Sequence, residues 1–370
     1  MKVLVTGSEG FVAKNLIVRL GELESIEVVK FSRQTPENEL PALVADIDAV
    51  VHLAGVNRPP SPDEFATGNA GLTVRLCQAL VGCGRQVPVI FPSSIQATLG
   101  NDYGNSKSDA ENVLWRYAAQ TGASVYVYRL PNVFGKWCKP NYNSAVATFC
   151  HNIARGLSIK VNDGNAALTL VYVDDVVDEF IRVLRDKPPV GAEELCCVPV
   201  EYKTTVGEMA GQIESFRDSR ASLVTEWVGD GLVRALYSTY MSYLPPDLFS
   251  YEVPKYVDPR GVFVEMLKTK DSGQFSYFTA HSGVTRGGHY HHSKTEKFLV
   301  IKGEARFGFR NILTNETYEL FTSGEQPQIV DTIPGWSHDI TNVGEDEMVV
   351  MLWANEIFDR ARPDTIASKV

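Results

Sequence analysis

Residues 2–15 read KVLVTGSEGFVAKN: a short apolar run that ends at Gly7, a turn, and then apolar residues at helical spacing that continue to Leu23. An apolar run of this length closed by glycine reads as a buried strand, and the change of period after it reads as a helix. Strand, glycine turn and helix in this order open a dinucleotide-binding fold. Gly7 permits the tight turn, Gly10 lets a pyrophosphate approach the backbone, and the helix N-terminus favours the phosphate charge. Ala13 replaces the third glycine and is small enough for the helix to pack closely on the strand. Phe11 and Val12 start the helix on the cofactor side.

The next strand, IEVVKFSR (26–33), bears on cofactor choice. An NAD site calls for a carboxylate at its end to accept from the ribose 2′-hydroxyl, whereas Ser32 and Arg33 stand there. Arg33 suits a 2′-phosphate, so NADPH is expected. Further apolar runs, DAVVHLAG (48–55), VPVIFPSS (87–94) and SVYVYRLPNVFG (124–135), alternate with helical stretches, the pattern of a parallel sheet wrapped by helices. Tyr103 and Lys107, four apart, share one helix face. There the ammonium can lower the phenol's pKa and hold the cofactor ribose, while the phenol protonates a carbonyl as hydride arrives.

At 370 residues the chain exceeds one core, since domains run to roughly 100–200 residues. A net charge of −10 argues against nucleic acid or an anionic membrane as partner. No apolar run approaches the roughly 18 residues of a membrane span, and no export signal precedes the first strand, so a cytoplasmic protein is expected. The six cysteines show no CxxC spacing and are expected as buried, reduced thiols.

TGSEGFVA (6–13), HLAG (52–55), Asn69 with Gly71, Ser93-Ser94, the Tyr103/Lys107 pair and RLPNVFG (129–135) together resemble, in kind and order, the extended short-chain dehydrogenase/reductases. The resemblance covers residues 1–243 and implies a Rossmann domain acting on nucleotide sugars. It places Leu53, Ala54, Gly55 and Leu130 on the cofactor. It implies Ser94 hydrogen-bonding the substrate oxygen beside Tyr103, and Pro131 to Val133, with Asn132 toward the substrate, lining the nicotinamide side. VYVDDV (171–176) then leads into the substrate lobe. This chain departs from the family in a short interval before DIDAVVHLAG (46–55) where a third strand is usual, and in lacking a clear adenine-contacting aspartate, Asp46 being the nearest candidate.

YLPPDLFSYEVPKY (243–256), rich in proline and aromatics, reads as a boundary, with a linker over 244–256 and a second domain over 257–370. Beyond it the apolar runs shorten into strand-like segments with few helices, as in a β-barrel or double-sheet jelly roll. Within GVTRGGHYHHSKTEKFLVIKG (283–303), Gly283, His289, His291, Glu296 and Gly303 have the spacing of the first cupin motif. Strand residues two apart point to one face, so His289 and His291 converge on one ion, joined by Glu296. PGWSHDITN (334–342) resembles the second motif with its proline and leading glycine out of place, and offers His338 as fourth ligand. Three imidazoles and a carboxylate suit zinc, iron, manganese or nickel.

DPRGVFVE (258–265) and SGVTRGGHYH (282–291) also resemble the dTDP-4-keto-sugar 3,5-epimerase branch of cupins, which implies Arg260 and Arg286 at the substrate. The histidine aligned with His289 is a base there, without a metal. Here the second histidine and Glu296 favour a metal, leaving Tyr290, His292, Lys294 or Tyr277 for proton transfer.

A 4-keto sugar nucleotide connects the two halves. Its carbonyl acidifies the neighbouring C–H, so epimerisation must precede reduction of that carbonyl. Reductase followed by cupin resembles, across nearly the whole chain, the bifunctional enzymes of bacterial capsule and O-antigen synthesis that lead toward UDP-N-acetyl-L-fucosamine. The resemblance implies C3 epimerisation of a UDP-2-acetamido-2,6-dideoxy-4-keto-hexose, NADPH reduction to the L-talo sugar, a zinc-type cupin site and a homodimer. A plain reductase with a structural or sugar-sensing cupin is the alternative.

Overall fold

The computed structural model describes residues 1–57, 61, 65–258, 261–264, 267–269, 273–356 and 361–370. By its contacts the chain divides into two units, residues 1–139 with 169–203, and residues 140–168 with 204–370.

In the first unit β1 (Lys2–Thr6), β2 (Glu27–Phe31), β3 (Ala49–His52), β4 (Val89–Ser94), β5 (Val125–Leu130) and β6 (Leu195–Cys196) form one sheet in the order β2-β1-β3-β4-β5-β6, every pair parallel. Parallel strands are covered on both faces, which is why KVLVT and AVVH are continuous apolar runs rather than alternating ones. Leu4, Val50 and Val127 join Leu76, Leu80 and Leu114 of α2 (Leu72–Gly82) and α3 (Asp102–Thr121) in one buried cluster. On the same sheet Val3, Val5 and Val51 alternate away from that cluster and are equally buried.

The short interval after β2 leaves that strand at the sheet edge, because the chain makes only a helical turn over Leu40–Val44 before returning beside β1. Asp46 does not serve the adenine: its carboxylate takes Lys2 Nζ at 2.7 Å, at the end of β1 opposite to the Gly7 turn.

Among the described residues the second unit holds three α-helices, Ala145–Ala154, Val206–Ser222 and Gly231–Met241, and two antiparallel five-stranded sheets. One sheet runs in the order Ser250–Glu252, Gln328–Asp331, Glu296–Lys302, Met348–Ala354, Gln274–Ala280. The other runs Thr317–Ser323, Glu304–Asn311, Trp336–Asn342, Thr285–Tyr290, Ile366–Ala367. This is the all-β, double-sheet region expected from the short strand-like runs.

Part of the expected linker is not a linker. Ser250–Glu252 pairs with Gln328–Val330, and Phe249 is fully buried edge-on to Trp336, Phe309 and Tyr318, at 5.0, 5.3 and 5.9 Å between ring centroids. Apolar burial at Phe249 and the free edge of the Gln328–Asp331 strand draw the segment into the sheet. Residues 204–243 likewise share a unit with the strands. Ser238 Oγ donates to the Ser293 carbonyl at 2.6 Å, Arg234 bonds Ser293 and Glu356, and Asn355 Nδ2 donates to the Val228 carbonyl at 3.3 Å.

None of the six cysteines is in a disulfide; Cys77 and Cys150 are buried, but Cys197, expected inside, is exposed on the chain after β6. Among the described residues no helix is long and apolar enough to cross a membrane.

Candidate functional site

The first site is assembled at the C-terminal ends of β1, β3 and β4. β4 ends in Ser93 and Ser94, and Ser94 Oγ accepts from Gln96 N–H at 3.2 Å, capping the turn that follows. Helix α3 starts against that turn: Asn101 Oδ1 accepts from Gly104 N–H at 2.7 Å, and a Cβ on Gly104 would stand 2.1 Å from the Gln96 carbonyl oxygen. Only glycine lets the helix approach so closely, and this approach sets Tyr103 beside Ser94.

Burial pushes the Tyr103 phenol up, and its hydrogen bond with Ser94 pulls it partly back. The expected lowering by Lys107 is not seen, because that ammonium is turned to the Pro92 carbonyl at 3.0 Å. Burial pushes Lys107 down to about 8, with Glu111 opposing. Glu111, one turn further along the same face, accepts from Ser93 Oγ and from Arg129 Nη2 at 2.7 Å, so the base of the site is tied into the sheet.

Beside this centre lies a cleft of about 510 Å³ lined by Gly7, Gly10, Ser32, Arg33, residues 53–55 and Arg75. Gly7 has φ +62°, and a Cβ there would sit 2.7 Å from Ala54. The turn is therefore closed onto the β3 loop. Phe11, Val12, Leu130, Tyr103 and Lys107, also expected on the cofactor, are not in its lining. Ser32 Oγ accepts from Gln34 N–H at 3.1 Å and so shapes the loop that carries Arg33, which is exposed. The sequence reasoning missed Arg75, whose Nε lies 2.6 Å from Glu37 at the cleft wall; its position one turn beyond Asn69 and Gly71 was the available signal.

The cleft fits a dinucleotide: its glycine turn is bare, its helix N-terminus is open, and a cationic side chain stands at the β2 end. Replacing Arg33 by Glu should raise the Michaelis constant for NADPH by on the order of tenfold or more, the worth of a charge-assisted hydrogen bond, and that for NADH much less. Steady-state kinetics with both cofactors checks this, and equal effects would remove Arg33 from the 2′-phosphate.

The second site is a cup in the β region. His289, His291, Glu296 and His338 each offer one ligand atom, and these atoms lie within 4.8 Å of one another. His289, next to last in the Thr285–Tyr290 strand, lies directly opposite His338. The strand-face alternation expected for His289 and His291 does not apply as such, because His291 lies one residue beyond the Thr285–Tyr290 strand; ahead of both, the register shifts between Gly287 and His289, where Gly287 and Gly288 have φ +95° and +72°. This bulge re-aims the two histidines at the strand end. His338 is placed by its cross-strand partner, which is why irregular spacing in the second motif does not displace it.

Glu296 Oε2 is 3.2 Å from His291 Nε2 and 3.5 Å from His338 Nε2. Burial pushes Glu296 up, but the imidazoles and Lys294 outweigh it and hold the carboxyl well below its usual range. Burial and the neighbouring rings push His289 down to about 4, and burial also lowers His338. His338 is buried with neither ring nitrogen hydrogen-bonded. A buried imidazole with a carboxylate oxygen 3.5 Å from its Nε2 fits a divalent ion.

The other expected residues are dispersed. Lys294 Nζ reaches the cup, 3.0 Å from Glu296 Oε1. Tyr290 packs edge-on to His292 at 5.4 Å and alternates away from the face of His289. Tyr277 is 73% exposed and belongs to the other sheet. Arg286 is exposed, its guanidinium 5.2 Å from the Phe278 ring centroid. Arg260 lies outside the described residues. Asn132 Nδ2 donates to the Thr169 carbonyl at 3.2 Å.

Residues 3–193 match the NAD dependent epimerase/dehydratase family, and residues 256–366 match the polysaccharide biosynthesis C-terminal domain. Over 100% of its length the chain is 60% identical to the UDP-2-acetamido-2,6-beta-L-arabino-hexul-4-ose reductase of Pseudomonas aeruginosa, of which it covers 99%. It is similar in structure to the capsular polysaccharide assembling protein CapF of Staphylococcus aureus, with a TM-score of 0.69, 42% identity and 100% of both chains covered. The UDP-glucose 4-epimerase of Thermotoga maritima shares the fold of 59% of this chain, covering 82% of its own, at 22% identity and a TM-score of 0.52.

Proposed function

Because this chain belongs to the NAD dependent epimerase/dehydratase family, we propose that it is a nucleotide-sugar 4-keto reductase acting on a UDP-linked sugar, the substrate class in the name of its Pseudomonas relative. The reading extends to a second activity. The cupin region, taken over residues 257–370, epimerises C3 of a UDP-2-acetamido-2,6-dideoxy-4-keto-hexose. The reductase region, residues 1–243, then reduces C4 to UDP-2-acetamido-2,6-dideoxy-L-talose, a precursor of UDP-N-acetyl-L-fucosamine. A cytoplasmic homodimer is part of the same proposal.

NADPH, when bound, supplies the hydride for C4. Arg33 takes its 2′-phosphate and Lys107 its ribose, Ser94 orients the substrate oxygen, and Tyr103 gives that oxygen a proton. The raised phenol suits this role, since it stays protonated until charge builds on the oxygen beside it. In the cup, His289, His291, Glu296 and His338 would hold a divalent ion, zinc by resemblance, which would supply positive charge to favour removal of the C3 proton. For moving the C3 proton Lys294 is well placed, since its Nζ lies 3.0 Å from Glu296 Oε1 in the cluster.

What carries this reading is the pairing, in a chain that matches the Pseudomonas reductase end to end, of the Ser94–Tyr103–Lys107 centre with a buried three-histidine, one-carboxylate cup. Incubation of the UDP-4-keto sugar with the protein in D2O, followed by mass spectrometry, tests it. A single deuterium should enter before NADPH is added, and reduction should follow only after. Uptake no faster than without enzyme, with NADPH still consumed, would leave a plain reductase with a structural cupin.

A further inference from the structure

The metal cup is held together by a part of the chain that lies some seventy residues beyond the loop of its first three ligands. The carboxylate of Asp364 faces the loop that follows the first two histidines: Oδ1 accepts from His292 N–H at 2.8 Å, and Oδ2 from Ser293 N–H at 2.7 Å, Lys294 N–H at 2.8 Å and Ser293 Oγ at 3.1 Å. Three successive backbone N–H groups that converge on one carboxylate form an anion-binding nest. The main-chain carbonyl of Asp364 also bonds His291 Nδ1. A histidine that donates from Nδ1 carries its lone pair on Nε2, the nitrogen 3.2 Å from Glu296.

The residues after Asp364 continue the clamp. Ile366–Ala367 pairs with Tyr290 and His289, Ser368 N–H donates to the Gly288 carbonyl at 2.8 Å, and the Ser368 carbonyl accepts from Ser337 Oγ at 2.5 Å. One short segment thus bonds both sides of the cup, next to His289 and next to His338.

Resting on the reading of this cluster as a metal centre, we propose that Asp364 is its positioning residue. Asp364 touches no ligand atom that would face the ion; it fixes the ring plane and tautomer of His291 and the path of the loop from His291 to Glu296. Loss of a partner of this kind usually costs 10–100-fold in metal affinity. Asp364→Asn leaves the main-chain carbonyl on His291 but replaces one acceptor oxygen of the side chain with an amide that cannot receive the converging N–H groups, so the loop from His291 to Glu296 loses part of its anchor.

The test uses the full-length protein. Zinc affinity is measured by competition with a chromophoric chelator, the visible spectrum is recorded after cobalt loading, and thermal unfolding is followed without metal. For Asp364→Asn the expected result is zinc binding weaker by about 10–100-fold, a displaced cobalt spectrum and a metal-free unfolding midpoint close to that of the unaltered protein. Asp364→Glu, which restores the charge, should recover part of the affinity. Unchanged zinc affinity in Asp364→Asn overturns the proposal. So does a loss that simply follows a fallen midpoint and that Asp364→Glu does not relieve. If the unaltered protein itself takes up no zinc or cobalt, the metal reading fails along with it.

Hydrogen exchange on the unaltered protein serves should Asp364→Asn not fold. Chelation of the metal should speed exchange at residues 292–294 and 366–368 together, whereas unaffected exchange at 366–368 would overturn the clamp.

Discussion

Tyr103→Phe should lower the rate of NADPH-dependent C4 reduction by on the order of a hundredfold to ten-thousandfold, the range for removing a positioned general acid. The substitution takes away one oxygen and little else. The ring keeps its packing 5.9 Å from Phe65, and helix α3 keeps its Asn101 cap and its contact at Gly104. Ser94 remains to orient the substrate oxygen, but water is then the only proton source for an oxygen that gains charge in a half-buried site. The cup shares no residue with this centre, so deuterium entry at C3 should proceed at its original rate. Parallel assays of cofactor absorbance and deuterium uptake read both quantities on one preparation. A fall of only a few-fold in reduction would transfer the proton-donor role away from Tyr103.

His338→Ala should have the opposite signature. Removing the one ligand contributed by the Trp336–Asn342 strand leaves two histidines and Glu296, and a buried carboxylate with one fewer partner. Metal content should fall to a small fraction of one equivalent, with affinity lower by at least about a hundredfold, beyond the usual cost of losing a second partner of a ligand. Deuterium uptake at C3 should sink to the rate without enzyme, while an already epimerised 4-keto sugar should still be reduced. Elemental analysis and the two assays check this together. If both activities fall while thermal unfolding is unchanged, the two activities do not rest on separate sets of residues.

The parts of this molecule that were legible in the sequence are those whose chemistry sits in consecutive residues. KVLVT and AVVH show themselves as buried strands because both faces of a parallel sheet are covered. His289, His291 and Glu296 show themselves because a strand and the turn after it hold them at fixed spacing. Tyr103 and Lys107 were found by helical period, yet the electrostatics between them were not: burial governs the phenol, and the ammonium is engaged by a carbonyl that no spacing rule could foresee. His338 looked irregular as a motif and became regular only through its register opposite His289. Glu37 and Asp364 are brought in by the folded backbone alone. The same holds for Phe249, which looked like linker until three aromatic rings from separate strands met it.

The contacts of the Gly231–Met241 helix bear on how such a chain can be inherited. A recombination crossover at residue 243 would separate Ser238 from the Ser293 carbonyl in the loop of the cup, and Val228 from Asn355. One placed at residue 257 would strip Phe249 from Phe309, Tyr318 and Trp336, exposing an aromatic nest in the fragment that retained the ligands. Neither breakpoint yields two parts that could be traded freely among other proteins. The β region and the helices before it therefore behave as one packed block, in which a cut at either place leaves buried groups on both fragments without the partners they fold against.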